Sequence, residues 1–181
     1  LGALPWGGRF SAMLRGPDAT ERLFGVELVE GRAPFDVAIH LSAGSIIVEA
    51  LPAADQPGDV SGIVRAMVSR LDQSEELSAF FNEGARLVRS LLGYDRVMVY
   101  RFAGDGSGEV VAESAKPGIG RFFGLHYPAS DIPKQARILY VRNLLRVITD
   151  VNSVPVPIVP ATERKGEPLD LSLSVLRSVS P

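Results

Sequence analysis

The 181 residues contain no cysteine. That excludes disulfides, thiolate metal sites and a cysteine nucleophile within this chain. Two histidines leave little material for a His-only metal centre, and no metal-binding residues stand out. No apolar run has the length needed to span a bilayer. The opening LGALPWGGRF lacks the charged-then-apolar order of a signal peptide. Nineteen basic and 21 acidic residues leave a net charge of −2, so there is no overall basic field to draw nucleic acid. The expectation is a soluble cytoplasmic protein with neither membrane nor nucleic acid as partner. Both ends read as cut. There is no initiating Met, and LSLSVLRSVSP stops inside a patterned segment, so a piece of a longer protein is expected.

What is present is ordinary globular material, 46% hydrophobic and 22% charged. PWGG and RGPD are turn signals, and ATERLFGVELVEG after them is weakly patterned. In FDVAIHLS, Phe35, Val37, Ile39 and Leu41 alternate with Asp36, Ala38, His40 and Ser42, the period of a half-buried strand. Ala43-Gly44 turns the chain into SIIVEAL, a β-branched partner, so a hairpin is expected. The polar break AADQPGD marks a domain boundary. Val60, Ile63, Val64, Met67, Val68 and Leu71 recur at helical spacing. A second helix carries Leu77, Phe81, Ala85, Val88 and Leu92, with Ser74 as candidate N-cap and Gly93 just past the end. The two could form one bent helix.

RVMVYRF, AGDGSG and EVVAE read as strand, turn, strand. The Gly-rich piece is no phosphate loop, since it lacks GxxxxGK[ST] and opens no helix. Residues 117–129 read as loop. Ser130 or Asp131 caps a following helix, with Pro133 in its first turn. LRVITDV reads as a strand. VPVPIVP holds three prolines and fits only an edge strand or an extended segment. Asp170 or Ser172 could start a last short helix through Arg177. The sum is an α+β arrangement, with helices on one face of an antiparallel sheet.

Some residues carry possible chemistry. Asp131 in PASDIPKQAR is a natural N-cap. The same bent turn could also aim a carbonyl at a ligand. Arg137, Arg142, Arg146 and Arg177 form either a solvated face or bidentate clamps for carboxylate or phosphate. Arg146, between Leu145 and Val147, tilts toward the second. Tyr100, Phe122, Phe123, Tyr127 and Tyr140 suit a core or the wall of a cavity for a flat, conjugated ligand with polar edges. His126 near Asp131 lacks the companions of an acid/base set, and no catalytic set is present.

The stretch HYPASDIPKQARILYVRNLLRVITDV resembles the chromophore-pocket signature of bacteriophytochromes, within the phytochrome family. YRFAGDGSGEVVAES, LDLSLSVLRSVSP and GRAPFDVAIHLSAGSIIVEALP support the resemblance. It covers roughly 150 residues, with the motifs in order, and implies specific domains. Residues 1–53 would be the C-terminal part of a PAS domain, 54–59 a linker, and 60–181 a GAF domain incomplete at its C-terminus. It implies biliverdin, a linear tetrapyrrole, as cofactor. The backbone carbonyl of Asp131 would face the pyrrole N–H groups, and Ile132 and Pro133 would pack on the rings. Arg146 and Arg177 match propionate-binding arginines, and Ser180 a serine near the same group. Tyr100, Tyr127, Tyr140, Met98, Phe122 and Ser130 match other pocket positions.

By the same resemblance, light isomerises the tetrapyrrole and the two states bias a downstream output. That output is usually a histidine kinase, while this chain itself is expected to be no enzyme. A homodimer through the helices at 60–92 is also implied. Two features depart from the family. Its attachment cysteine has no counterpart here, and its histidine just after SVSP would lie past Pro181. Two other readings compete: a GAF-type domain for dimerisation or another small molecule, and an enzyme using Asp131 and His126.

Overall fold

The computed structural model describes residues 20–42, 44–53, 60–162 and 166–177. The described residues form two compact units. One joins those up to 53 with those from Ile138 onward, and the other holds Val60 to Arg137. The architecture is α+β, with two antiparallel three-stranded sheets and three helices among the described residues. None of these helices is long and apolar enough to cross a membrane.

The first unit is built on β1 (Thr20–Val26), β2 (Phe35–Ser42) and β3 (Ser45–Pro52), in that spatial order. The hairpin of β2 and β3 is continuous from Phe35↔Pro52 to Ser42↔Ser45, as the alternation predicts. β1 has no counterpart among the sequence expectations. Its register shifts between Leu23 and Val26, and Gly25 there adopts φ 62°. The Gly25 N–H donates to the Asp36 carboxylate at 3.0 Å. A bulge of this kind breaks the period of two on which a strand is recognised. Leu23, Val37 and Ile39 form the core of the sheet, with Val26, Leu28 and Phe35 against it.

The polar face of β2 departs from expectation. His40 and Ser42 are buried, because the segment 170–177 lies against them. The Ser42 hydroxyl donates to the Asp170 carbonyl at 2.7 Å.

The second unit pairs β4 (Arg96–Phe102), β5 (Gly108–Ala115) and β6 (His126–Tyr127). β6 lies inside what reads as loop. The AGDGSG turn closes β4 and β5 as predicted, with the Ala103 N–H donating to Ser107 O at 2.8 Å. Helix α1 (Val60–Leu71) and helix α2 (Leu77–Leu92) are separate. Residues 72–74 hydrogen-bond back onto the end of α1, which ends it before α2 begins. α2 packs on β4 and β5, burying Ala85 and Leu87 toward Val110 and Ala112. Glu76, not Ser74, occupies its N-cap position, and no side chain caps it. Gly93 ends it at φ 70°, donating to Arg89 O, the left-handed cap that favours glycine.

Helix α3 (Lys134–Arg142) carries the chain from the second unit to the first. Two expectations beyond it fail. LRVITDV forms no strand, and only Val147 bridges, in parallel, to Leu176. No helix runs from Asp170 to Arg177. The Asp170 carboxylate does accept the Ser172 N–H at 2.9 Å, as a cap would, but the next amides turn elsewhere.

Candidate functional site

In the second unit the Asp131 turn is fixed from α3. The Asp131 N–H donates to Pro128 O at 3.1 Å. Pro133 stands directly before the helix, and its carbonyl accepts from Ala136 and Arg137. Asp131 is therefore too far upstream to cap. Its carboxylate meets only the Ser130 hydroxyl, at 3.4 Å, among the described residues, so the capping expectation for Ser130 and Asp131 is corrected. Arg137 does the holding. Its Nη1 donates to Gly106 O and Ala129 O at 3.3 Å each and to Ile132 O. Gly106 has φ 87°, and a Cβ there would meet the guanidinium at 2.8 Å. The turn thus engages the carbonyls of Pro128, Ala129, Ile132 and Pro133, not that of Asp131.

The sheet beside this turn brings two of the candidate tyrosines together. β6 sets Tyr127 opposite Gly108, and β4 sets Phe102 opposite the same glycine. The rings of Tyr100 and Tyr127 lie 6.0 Å apart, and those of Tyr100 and Phe102 5.0 Å. Tyr100 lies over Gly108 so closely that any Cβ would overlap its ring. Met98, two residues earlier on β4, is 42% exposed.

Phe122 is anchored by its backbone. Its N–H and that of Phe123 donate to Glu113 Oε2 at 2.8 and 2.9 Å. Arg96 pairs with Glu113 at 2.9 Å, donates to Gly120 O, and lies 4.0 Å from the Phe122 ring centre. Burial pushes the Glu113 carboxyl up, but the two N–H groups and Arg96 outweigh it and hold it below the usual range. His126 faces Glu109, 3.7 Å away, not Asp131.

In the first unit the segment 170–177 assembles a cationic group. Val147 N–H donates to Val175 O at 2.9 Å, and Arg177 N–H donates to Val147 O at 2.8 Å. This bridge joins the segments that carry Arg146 and Arg177, the residues on either side of it. Both guanidinium groups reach the Ser172 carbonyl at 3.5 Å. Arg146 also lies 5.5 Å from the Tyr140 ring centre. Buried Asn143 ties the loop down, donating to Leu173 O and Ser174 O at 3.0 and 2.9 Å. Among the described residues neither Arg146 nor Arg177 has a carboxylate within ion-pair distance, and the buried Nε of Arg146 has no hydrogen-bond partner. Burial, and then the neighbouring Arg146 charge, lower the pKa of Arg177, more than the Glu49 carboxylate raises it. Two half-buried cations with no carboxylate in ion-pair contact among the described residues fit an anionic ligand, and a carboxylate pair best of all.

The structure therefore gathers Tyr100, Tyr127 and the Ser130–Pro133 turn in one unit. It gathers Tyr140, Arg146 and Arg177 in the other. Ser180 lies outside the described residues. Sequence reasoning missed Arg137, Glu113 and Asn143 as supports, together with Glu49. Glu49 accepts the Val175 and Leu176 N–H groups at 3.0 and 2.8 Å. A single carboxylate in the apolar run SIIVEAL was its only signal.

No family model matches the chain. It is 54% identical over 98 residues to a bacteriophytochrome of Xanthomonas campestris pv. campestris, covering 54% of this chain and 16% of that protein. It is 37% identical over 150 residues to the phytochrome-like protein Cph1 of Synechocystis sp., covering 80% of this chain and 20% of that one. The crystal structure of the chromophore-binding domain of the bacteriophytochrome RpBphP3 from R. palustris superimposes with a TM-score of 0.78 at 38% identity, covering 96% of this chain and 58% of that one. The chain thus spans a fifth or less of the length of these curated relatives, and it belongs to the phytochrome family.

Proposed function

We propose that this chain holds a linear tetrapyrrole, biliverdin, as part of a red/far-red photoreceptor that signals to an output domain. One observation carries the reading: Arg146 and Arg177, 31 residues apart in sequence, share one carbonyl and have no carboxylate within ion-pair distance among the described residues. Two propionates are the counter-charges such a pair requires. When bound, the tetrapyrrole supplies absorption of red light and isomerisation of a double bond. The residues of this chain supply binding and orientation. The Asp131 carbonyl is left by its turn to accept pyrrole N–H groups, and Ile132 and Pro133 offer apolar surface. Tyr100, Tyr127, Tyr140, Met98, Phe122 and Ser130 complete the contacts in this reading, with Ser180 beside a propionate. No cysteine of this chain offers a covalent anchor for the pigment.

In this reading residues 1–53 end a PAS domain, 54–59 link, and 60–181 belong to a GAF domain. The output is a histidine kinase elsewhere in a cytoplasmic protein, and this chain catalyses nothing. A second role has an observation of its own. Ile63, Val64 and Val68 on α1 are 42%, 45% and 52% exposed, an apolar stripe suited to a homodimer through α1 and α2.

The test is the absorption spectrum of the chain with biliverdin, in the dark and after red light. A sharpened red band that changes with light is expected. An unaltered pigment spectrum overturns the reading and leaves dimerisation as the function.

A further inference from the structure

The two proposed propionate arginines sit on irregular segments, and such segments alone give a binding group poor definition. Something must stop the segment 170–177 from continuing as the helix its Asp170-Leu-Ser172 start invites. Glu49 on β3 is that element. Its two carboxylate oxygens each accept one backbone N–H, from Val175 and Leu176. The carboxylate spans 126 and 127 residues of sequence to do so, and it ends one residue before Arg177. The Val147 bridge follows at once, with Val175 O accepting and Arg177 N–H donating on either side of Val147. One carboxylate thus fixes the backbone that aims Arg177, and through Val147 the backbone of Arg146.

The charge of Glu49 is placed with equal economy. The carboxylate is satisfied by N–H groups and by proximity to His40, 3.5 Å away, and forms no ion pair with either arginine. Had it paired with Arg177, the cation would be neutralised and lost to a ligand. His40 is fully buried, and among the described residues neither ring nitrogen has a hydrogen-bond partner. It fills the space behind the carboxylate without contributing a competing donor contact at hydrogen-bond distance.

We infer that Glu49 is a positioning residue for bilin binding: it clamps the backbone before Arg177, so that Arg177 and Arg146 face the propionates while their charges stay available. This rests on the bilin reading above, and the experiment separates the two. Amide exchange is measured by NMR on the full 181-residue chain without pigment, for wild type, Glu49→Gln and Glu49→Ala. The Val175 and Leu176 amides are expected to be protected in wild type and to exchange about tenfold faster or more in Glu49→Ala. The near-isosteric Glu49→Gln keeps the packing, and there the loss falls mainly on one of the two amides. Affinity is then measured for biliverdin and for its dimethyl ester, whose propionates carry no charge. Biliverdin is expected to weaken about tenfold in Glu49→Ala, the loss seen when a supporting carboxylate behind a metal-binding histidine is removed. The ester should change little. Equal weakening of both pigments overturns the inference, because Glu49 then serves the fold alone. Unchanged exchange at Val175 and Leu176 in both variants overturns the clamp itself. Wild type that binds neither pigment, with the two amides still protected, overturns the bilin reading and this use of Glu49, and leaves only a structural clamp.

Discussion

Arg146 and Arg177 direct their guanidinium groups at one and the same acceptor, the carbonyl oxygen of Ser172, each at 3.5 Å. Two cations on one neutral oxygen repel each other, and burial makes the repulsion stronger. A fold does not gain stability this way. Arg146→Gln or Arg177→Gln should therefore leave the thermal midpoint of the pigment-free chain unchanged or raised. Each should weaken biliverdin by about ten- to a hundredfold, the worth of a hydrogen bond to a charged group. Thermal unfolding followed by circular dichroism, beside a pigment titration, checks both halves. A large drop in midpoint would mean the pair is structural.

Gly108→Ala tests the tyrosine cluster. The added Cβ would overlap the Tyr100 ring, and that ring already has Phe102 and Tyr127 at its sides. It can only move outward. The expected cost is roughly 1–3 kcal/mol, as for overpacking of a filled site, read from urea denaturation. Tyr100 and Tyr127 ring resonances should both shift, since one ring's displacement opens the space beside the other.

Arg137→Lys tests the turn that presents Asp131. A lysine carries the same charge, but its ammonium stands where the guanidinium carbon stands, one bond short of the Nη1 through which all three contacts run. The loss of two of the three contacts with Gly106, Ala129 and Ile132 should destabilise the chain by about 1–2 kcal/mol. Limited proteolysis should then cut within residues 129–133 sooner than in wild type, while the helix α2 stays protected. Equal proteolysis of both chains would assign the turn's order to Pro133 instead.

These residues also show where sequence is readable. α1 and α2 were legible because a stripe with a period of 3.6 is local, and Gly93 punctuates it. β1 was not, because Gly25 and its bulge disturb the alternation in the second half of a seven-residue strand. The segment from Asp170 carried a true local signal, an Asp bonded to the amide two residues on. That bond is shared by helix caps and by turns, and the decision lay with Glu49, more than a hundred residues away. LRVITDV misled for the same reason, since its alternation is real but only Val147 finds a partner. The convergence of Arg146 and Arg177 could not come from spacing either. It was legible only through resemblance, whereas the supports Glu49, Arg137 and Asn143 belong to no short motif and appear only when the chain is folded.

The buried His40 gives the first unit a pH dependence with a definite sign. Burial lowers its pKa below the ordinary 6.5, more than the nearby Glu49 and Asp170 raise it, and Arg177 adds to the lowering. The folded chain therefore binds a proton at His40 less readily than the unfolded chain. The contribution of His40 is fully present above about pH 6.5, the ordinary histidine value, and is lost as pH falls from there through the depressed folded value. Carboxylates with lowered values, Asp170 and Glu113, add losses of the same sign only further down, below the ordinary carboxylate range. Urea denaturation between pH 7.5 and 5 separates the two on the scale of these ordinary values. Wild type should lose stability across that window, and His40→Asn, which cannot titrate, should show a flatter slope even if less stable throughout. Parallel slopes in the two chains would mean that His40 takes up its proton alike in the folded and unfolded chains, and that the fold does not hold it neutral.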